Sequence, residues 1–421
     1  MTRNGLYVFA GALMFATSAL HASRTGAQTQ QQIDWCNNDN NVFSVDQRLS
    51  GCTALVESER ASAQDRAAGY GNRCWAYSDK GDPDRAITDC NEAIRLGPKL
   101  ASAYLNRGKA YSDKDDFDRA IADYDQAIKL NPKSSMAYNN LCDAYLDKGD
   151  NDRAIIDCDE AIRLDPKLAD AYLNRGKAYS DKGDFDRAIA DYNRATELNP
   201  KSSIGYNNLC DAYLDKGDND RAITECDEAI RLDPTFAVAY RNRGNAYRYK
   251  GEIGSAVADY NQAIELSPKF FQAYLARGLL SLDAGELPKA LADINQANAL
   301  NPKDPYTALW LDIVNKRSKL PGRLAEATAQ IDMTKWPAPV IRLYLGQMTP
   351  EAVLAAAAHR DASKQKSQVC EANFFSGELA LQQGSKDEAT RLFRIAEEGC
   401  PKDSFQLIAA NDELKALGAQ P

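Results

Sequence analysis

The residues of this chain best equipped for covalent chemistry are its ten cysteines, and they come in pairs. Cys36 and Cys52, Cys74 and Cys90, Cys142 and Cys158, and Cys210 and Cys226 are each 16 residues apart, and Cys370 and Cys400 are 30 apart. If each pair spans one helical hairpin, the chemistry to expect is five disulfides. A bridge needs Cα atoms within about 7 Å, and closing a loop of about 17 residues adds roughly 3 kcal/mol in the loop-entropy account. In a reducing compartment the same residues would be small hydrophobes, so location decides between the two. A thiol nucleophile would need a partner base, and beyond residue 27 only His359 remains, on an Ala-rich stretch. No HExxH, GxSxG, CxxC or GxxxxGK[ST] pattern occurs. The turns Asp147–Asp152 and Asp215–Asp220 lack the closing Glu of a calcium loop and read as helix N-caps. The expectation is a non-enzyme with no metal and no cofactor.

Elements must bring these cysteines together, and a strict period supplies them. Pro98, Pro132, Pro166, Pro200, Pro234, Pro268 and Pro302 are spaced by 34 residues throughout. With residue 101 as position 1, Tyr104, Gly108 and Tyr111 share one face of a first helix, and Ala120, Tyr124 and Ala127 share the inner face of a second. Asp116 is placed to cap the second helix and Pro132 to end it. Residues 101–168 and 169–236 differ at only 12 of 68 positions, so the duplicated block is a pair of repeats. Within a pair, position 8 is Gly and position 24 Tyr in one repeat, and both are Cys in the other. Because the two positions change together, contact between them is expected.

This pattern resembles the tetratricopeptide (TPR) family over more than half the chain. The resemblance implies an all-α, right-handed α-solenoid with irregular capping helices at both ends, a fold that binds rather than catalyses. Residues 28–60 read as a degenerate N-terminal hairpin, residues 67–304 as seven TPR units, and residues 305–421 as a further helical region ending in a TPR-like hairpin at 370–403. That last region resembles the NlpI-type periplasmic TPR lipoproteins, through Leu309–Leu311 (Leu-Trp-Leu), Tyr344–Gly346 (Tyr-Leu-Gly) and Asn373–Gly377 (Asn-Phe-Phe-Ser-Gly). Such proteins are homodimeric adaptors joining a carboxy-terminal processing protease and peptidoglycan hydrolases, so a homodimer belongs to the expectation. The chain departs from them in its cysteine pairs, its extra repeats and its lack of a lipoprotein box.

Residues 1–27 carry Arg3, an apolar run Leu6–Ala19 and small residues at Thr25 and Ala27, the pattern of a cleaved secretory signal. A run of fourteen residues is short for a membrane span. The expected location is therefore periplasmic or secreted, with no integral membrane segment after cleavage. A net charge of −9 and a pI near 5.1, with basic and acidic residues interspersed, argue against nucleic acid. A protein or peptide is the partner class left.

In TPR arrays, positions 2, 5, 6, 9 and 12 of the first helix line the concave groove. Position 6 is Asn at Asn72, Asn106, Asn140, Asn174, Asn208 and Asn242, a ladder of amides suited to an extended backbone and expected to be solvent-exposed. Lys109 and Lys177 at position 9 and Arg241 at position 5 complete the candidate set. The Lys and Arg pattern with which chaperone-tail TPRs clamp a terminal carboxylate is absent. Arg107, Arg175, Arg243 and Arg277 are expected to pair with Asp123, Asp191, Asp259 and Asp293 as exposed ion pairs contributing at most about 1 kcal/mol. The function expected is an adaptor holding peptides or envelope proteins in this groove. The alternative is a structural or sequestering solenoid whose partner sits on the convex face, with an enzyme behind both.

Overall fold

The computed structural model describes residues 30–37, 42–360, 362–401 and 404–419. The signal-like segment at 1–27 lies outside them. Every regular element among the described residues is helical. The chain divides into two compact units, one ending at Ala144 and one beginning at Tyr145.

The first unit opens with α1 (Gln30–Asn37) and α2 (Val45–Glu57), which pack as a hairpin through Cys36, Cys52 and Leu55. Ser44 and Gln47 form a capping box at the start of α2. Two repeats follow, α3 (Ala63–Asp79) with α4 (Pro83–Leu96), and α5 (Ala101–Ser112) with α6 (Phe117–Leu130). The division falls within α7 (Ser135–Asp147).

The second unit continues with α8 (Asn151–Leu164), then α9 (Ala169–Asp181) and α10 (Phe185–Leu198), α11 (Ser203–Asp215) and α12 (Asn219–Leu232), α13 (Ala237–Tyr249) and α14 (Ile253–Leu266), and α15 (Phe271–Asp283) and α16 (Leu287–Leu300). Beyond these lie α17 (Pro305–Arg317), the short α18 (Leu324–Ala327), α19 (Ala338–Tyr344) and α20 (Pro350–Ala356), then the long α21 (Ala362–Gln382), α22 (Lys386–Gly399) and α23 (Phe405–Ala416).

The local code is uniform. Asp82, Asp116, Asp150, Asp184 and Asp218 each accept from the backbone N–H three residues on, so the Asp-rich turns serve as helix caps. Among the described residues no cluster of His, Cys, Asp and Glu could hold a metal ion. The turns before these caps need a left-handed residue, which Gly81, Gly149, Gly183 and Gly217 supply; Asp115 takes that conformation without being Gly, at φ 60°. Ala86, Ala120, Ala154, Ala188 and Ala222 are fully buried where the paired helices meet, so the hairpins close on small side chains.

Candidate functional site

Positions 8 and 24 are in close contact within the hairpins, as their co-variation in sequence implies. A Cβ placed on Gly108 would lie 2.6 Å from Tyr124 Cε1, and the same gap is 2.6 Å at Gly176 and Tyr192 and 2.7 Å at Gly244 and Tyr260. In the alternate repeats the contact is covalent: Cys74–Cys90 has a Cα separation of 5.4 Å and Cys210–Cys226 one of 5.3 Å. Cys36–Cys52 and Cys370–Cys400 are bridged at 4.5 and 4.8 Å. Cys142 and Cys158 are disulfide-bonded too, and no cysteine is free. Burial pushes the hydroxyls of Tyr192 and Tyr260 well above their usual pKa, so they stay neutral packing groups.

The asparagine ladder is not uniform. In the first unit the Asn106 amide donates to the Gly71 carbonyl at 3.1 Å, joining α5 to α3. In the second, Asn242 is 1% exposed and donates to Asn207 Oδ1 at 3.1 Å, joining α13 to α11. The Asn72 amide reaches the Cys36 sulfur at 4.0 Å, and Asn174 is also engaged. Only Asn140 and Asn208, both half-buried, keep side-chain amides without a hydrogen bond to a described residue. The expectation of six solvent-exposed amides is thus corrected: Asn106 and Asn242, in Gly/Tyr repeats, hold the neighbouring first helix, Asn72 and Asn174 are engaged as well, and only Asn140 and Asn208, both in cysteine repeats, stay open. The letter Asn at position 6 hid this, because the partner sits one repeat away.

The candidate cations divide similarly. Lys109 pairs with Asp113 at 3.1 Å and Lys177 with Asp181 at 3.1 Å, each one turn along its own helix. Arg241 has no ion-pair partner among the described residues, and its buried Nε bonds nothing. On the next repeat's α15, the Gln272 Oε1 is likewise buried without a donor. Burial raises the pKa of Asp170, at position 2 of α9, with no compensating partner.

The position-7 arginines were expected as exposed pairs; they are half-buried forks. Arg175 holds both carboxylate oxygens of Asp191, at 2.8 and 2.6 Å, and its third nitrogen reaches Asp159 in the preceding repeat at 2.6 Å. Arg243 does the same with Asp259 and Asp227, and Arg107 with Asp123 and Asn91. These hydrogen bonds, chiefly to the hairpin aspartate, hold the guanidinium pKa values above normal. The arginines therefore join repeats and are not offered to a ligand.

Toward the end of the second unit the groove positions change character. Leu279 and Leu282, at positions 9 and 12 of α15, are buried in one apolar core with Trp310, Phe374, Phe375, Phe393 and Leu414. Arg248, at position 12 of α13, pairs with Asp283 and carries the Phe405 ring 4.2 Å from its guanidinium carbon. The last helix, α23, thus lies over groove positions of α13, a contact no periodic signal announced.

The tetratricopeptide repeat family matches residues 67–99, 105–169 and 169–202, and the TPR repeat matches 210–248 and 244–285. No curated protein matches the chain in sequence. Among solved structures, a tetratricopeptide repeat protein from Parabacteroides merdae ATCC 43184 is 20% identical over 59% of this chain and 98% of its own, at a TM-score of 0.51. The APC/C hetero-tetramer Cut9-Hcn1 offers a chain 19% identical, covering 64% of this one and 52% of its own length, at 0.53. Both likenesses speak for the fold alone. The chain carries tetratricopeptide repeats between residues 67 and 285, and its fold is all-α and of the TPR kind.

Proposed function

We propose that this chain is an exported, non-catalytic adaptor that holds an extended peptide segment of another protein against its first helices. TPR proteins generally mediate protein–protein contacts, and no catalytic family is indicated. The observation that carries the proposal is the pairing of an uncommitted cation, Arg241, with an uncommitted amide, Asn208, on α13 and α11, helices already joined by the Asn242–Asn207 bond. An amide that donates and accepts suits a peptide backbone, and a guanidinium suits a carboxylate beside it. In the first unit Asn140 would play the amide's part. Ten cysteines held in disulfides favour an oxidising compartment, in keeping with the signal-like start at 1–27. The NlpI-like features of 305–421 favour envelope proteases or peptidoglycan hydrolases as clients and a homodimer as the working form. No helix among the described residues is long and apolar enough to cross a membrane.

The test uses the oxidised protein. A client peptide captured from periplasmic extract is titrated against wild type and against Asn208→Ala with Arg241→Ala. The lost hydrogen bonds, about 0.5–1.5 kcal/mol for the amide and about 1.5–3 for the charged group, should weaken binding at least tenfold while the melting point holds. Unchanged affinity would remove the groove from the function.

A further inference from the structure

The seat of α23 is built so that the helix can leave it. Phe405, Ala409 and Glu413 share one face of α23 at i, i+4 and i+8. Phe405 lies over the Arg248 guanidinium at 4.2 Å and meets the Trp310 ring edge-on at 5.0 Å. Two turns on, Glu413 accepts from Arg317 Nη2 at 2.6 Å. Each arginine has a second partner that does not belong to α23. Arg248 is paired with Asp283 of α15, and Arg317 Nη2 also holds both oxygens of Glu378, on α21, at 2.8 and 2.7 Å. Withdrawal of α23 would therefore strand neither cation, and stranding a buried charge is what normally makes such a contact costly to break. The helix buries Ala409, Ala410 and Leu414, packs Phe405 and Leu407 partly buried on the core and lies against α22 and α21, but its twelve residues are too few to be a stable helix alone in water. What stays behind is a preformed surface, with two neutralised arginines placed for an aromatic ring and a carboxylate, and Leu279 and Leu282 in the core beside them.

We propose that α23 is a displaceable occupant of the groove floor formed by α13, α15 and α17, and that the trans ligand of this surface is an amphipathic helix of a partner protein carrying an aromatic residue and, two turns later, a carboxylate. The chain's own C-terminal helix is the template for that ligand and its competitor. This rests on the concave face being the binding surface, and it adds a second ligand class, helical rather than extended, at its end. A ligand that can bind only the open form sees its affinity reduced by the open fraction.

The probe is a fluorescein-labelled peptide of residues 404–419, titrated against the oxidised full-length chain. Phe405→Ala with Glu413→Gln, which weakens the internal helix, should bind it at least tenfold more tightly than wild type does. Adding Arg248→Ala to that variant should abolish the gain, and peptide binding should restore the Trp310 emission that the variant loses. Equal affinity of wild type and the weakened variant would overturn the proposal. Native-state hydrogen exchange of the wild type gives a readout independent of any variant. Amides of 405–416 should exchange at least tenfold faster than those of 374–381 in α21, whereas exchange of the two segments in step would overturn the proposal equally. Failure at Asn208 and Arg241 with success here would discard only the extended-peptide site; the converse would discard only the displaceable helix.

Discussion

The repeat hairpins of the second unit and the helices that follow them solve one problem in opposite ways. From α9 to α16 the buried contacts are small and recur: an alanine, then a Gly/Tyr, Cys/Cys or Gly/Ile contact, with an arginine fork to the repeat before in every repeat but the cysteine one. From α17 to α23 the same chain gathers Trp310, Tyr344, Phe374, Phe375, Phe393 and Phe405 into one aromatic cluster with ring centroids 5.0–6.3 Å apart. In the array no single residue matters much, because its neighbour repeats the contact. In the C-terminal helices a few residues carry the packing, and polar groups are sealed among them, among them Glu378, Arg317 and Glu371, the last accepting from Tyr306 and from the Trp336 indole at 2.9 and 2.7 Å.

That contrast can be broken most severely at Phe375, which is fully buried and packs against Trp310, Tyr344 and Phe374. Phe375→Ala should cost about 3–5 kcal/mol. Calorimetry should show the loss in the C-terminal helices while the array's transition stays in place; a uniform shift of the whole melt would count against two separate regimes.

A smaller effect sharpens the array side. Cys210→Tyr alone forces a ring into the closest contact of its hairpin, whereas Cys210→Gly with Cys226→Tyr recreates the arrangement at Gly176 and Tyr192. Both variants lose the bridge, so their difference isolates packing. The double variant should be the more stable by about 1–3 kcal/mol in denaturant titrations, and coincident curves would show that the two positions do not share space.

The smallest effect is on pH. Burial pushes the Glu378 carboxyl up to about 7, against the attraction of Arg317. A carboxyl raised in the folded state binds a proton that the unfolded chain has already released. Its stabilising contribution is therefore complete below the unfolded value near 4.5 and is lost as pH climbs through about 7. Stability should decline between pH 5 and 8 with a slope of at most about 1.4 kcal/mol per pH unit for this group. Glu378→Gln should flatten the profile, and a profile of unchanged slope in that variant would assign the dependence to other groups. Glu371, also raised by burial, acts in the same sense.

Legibility in the sequence followed the same line. The period, the hairpins, the Asp caps and the contact between positions 8 and 24 could all be read, because each is local and repeated; Gly108 and Tyr124 or Cys74 and Cys90 are 16 residues apart in every copy. What escaped depends on partners outside the repeat. Asn106 and Asn208 look alike as letters, yet one is spent on the preceding repeat and the other is open. Arg175 reads as one half of a surface pair until Asp159, a repeat earlier, closes round it. The meeting of Phe405 with Arg248 joins residues far apart in sequence by a contact that occurs once, and a single occurrence leaves no rhythm to detect.

The alternation of Cys/Cys with Gly/Tyr has a mechanical consequence as well. A hairpin closed by a bridge between residues 74 and 90, or 210 and 226, keeps 16 residues out of any extension of the chain. At about 3.3–3.6 Å per residue each such bridge withholds roughly 55 Å of contour length. Pulled from its ends, the oxidised array should lengthen in short steps from its cysteine hairpins and long ones from its Gly/Tyr hairpins. Reduction should make every step long. A tether strung between any two partners would then have its maximum reach set by the redox state of its surroundings.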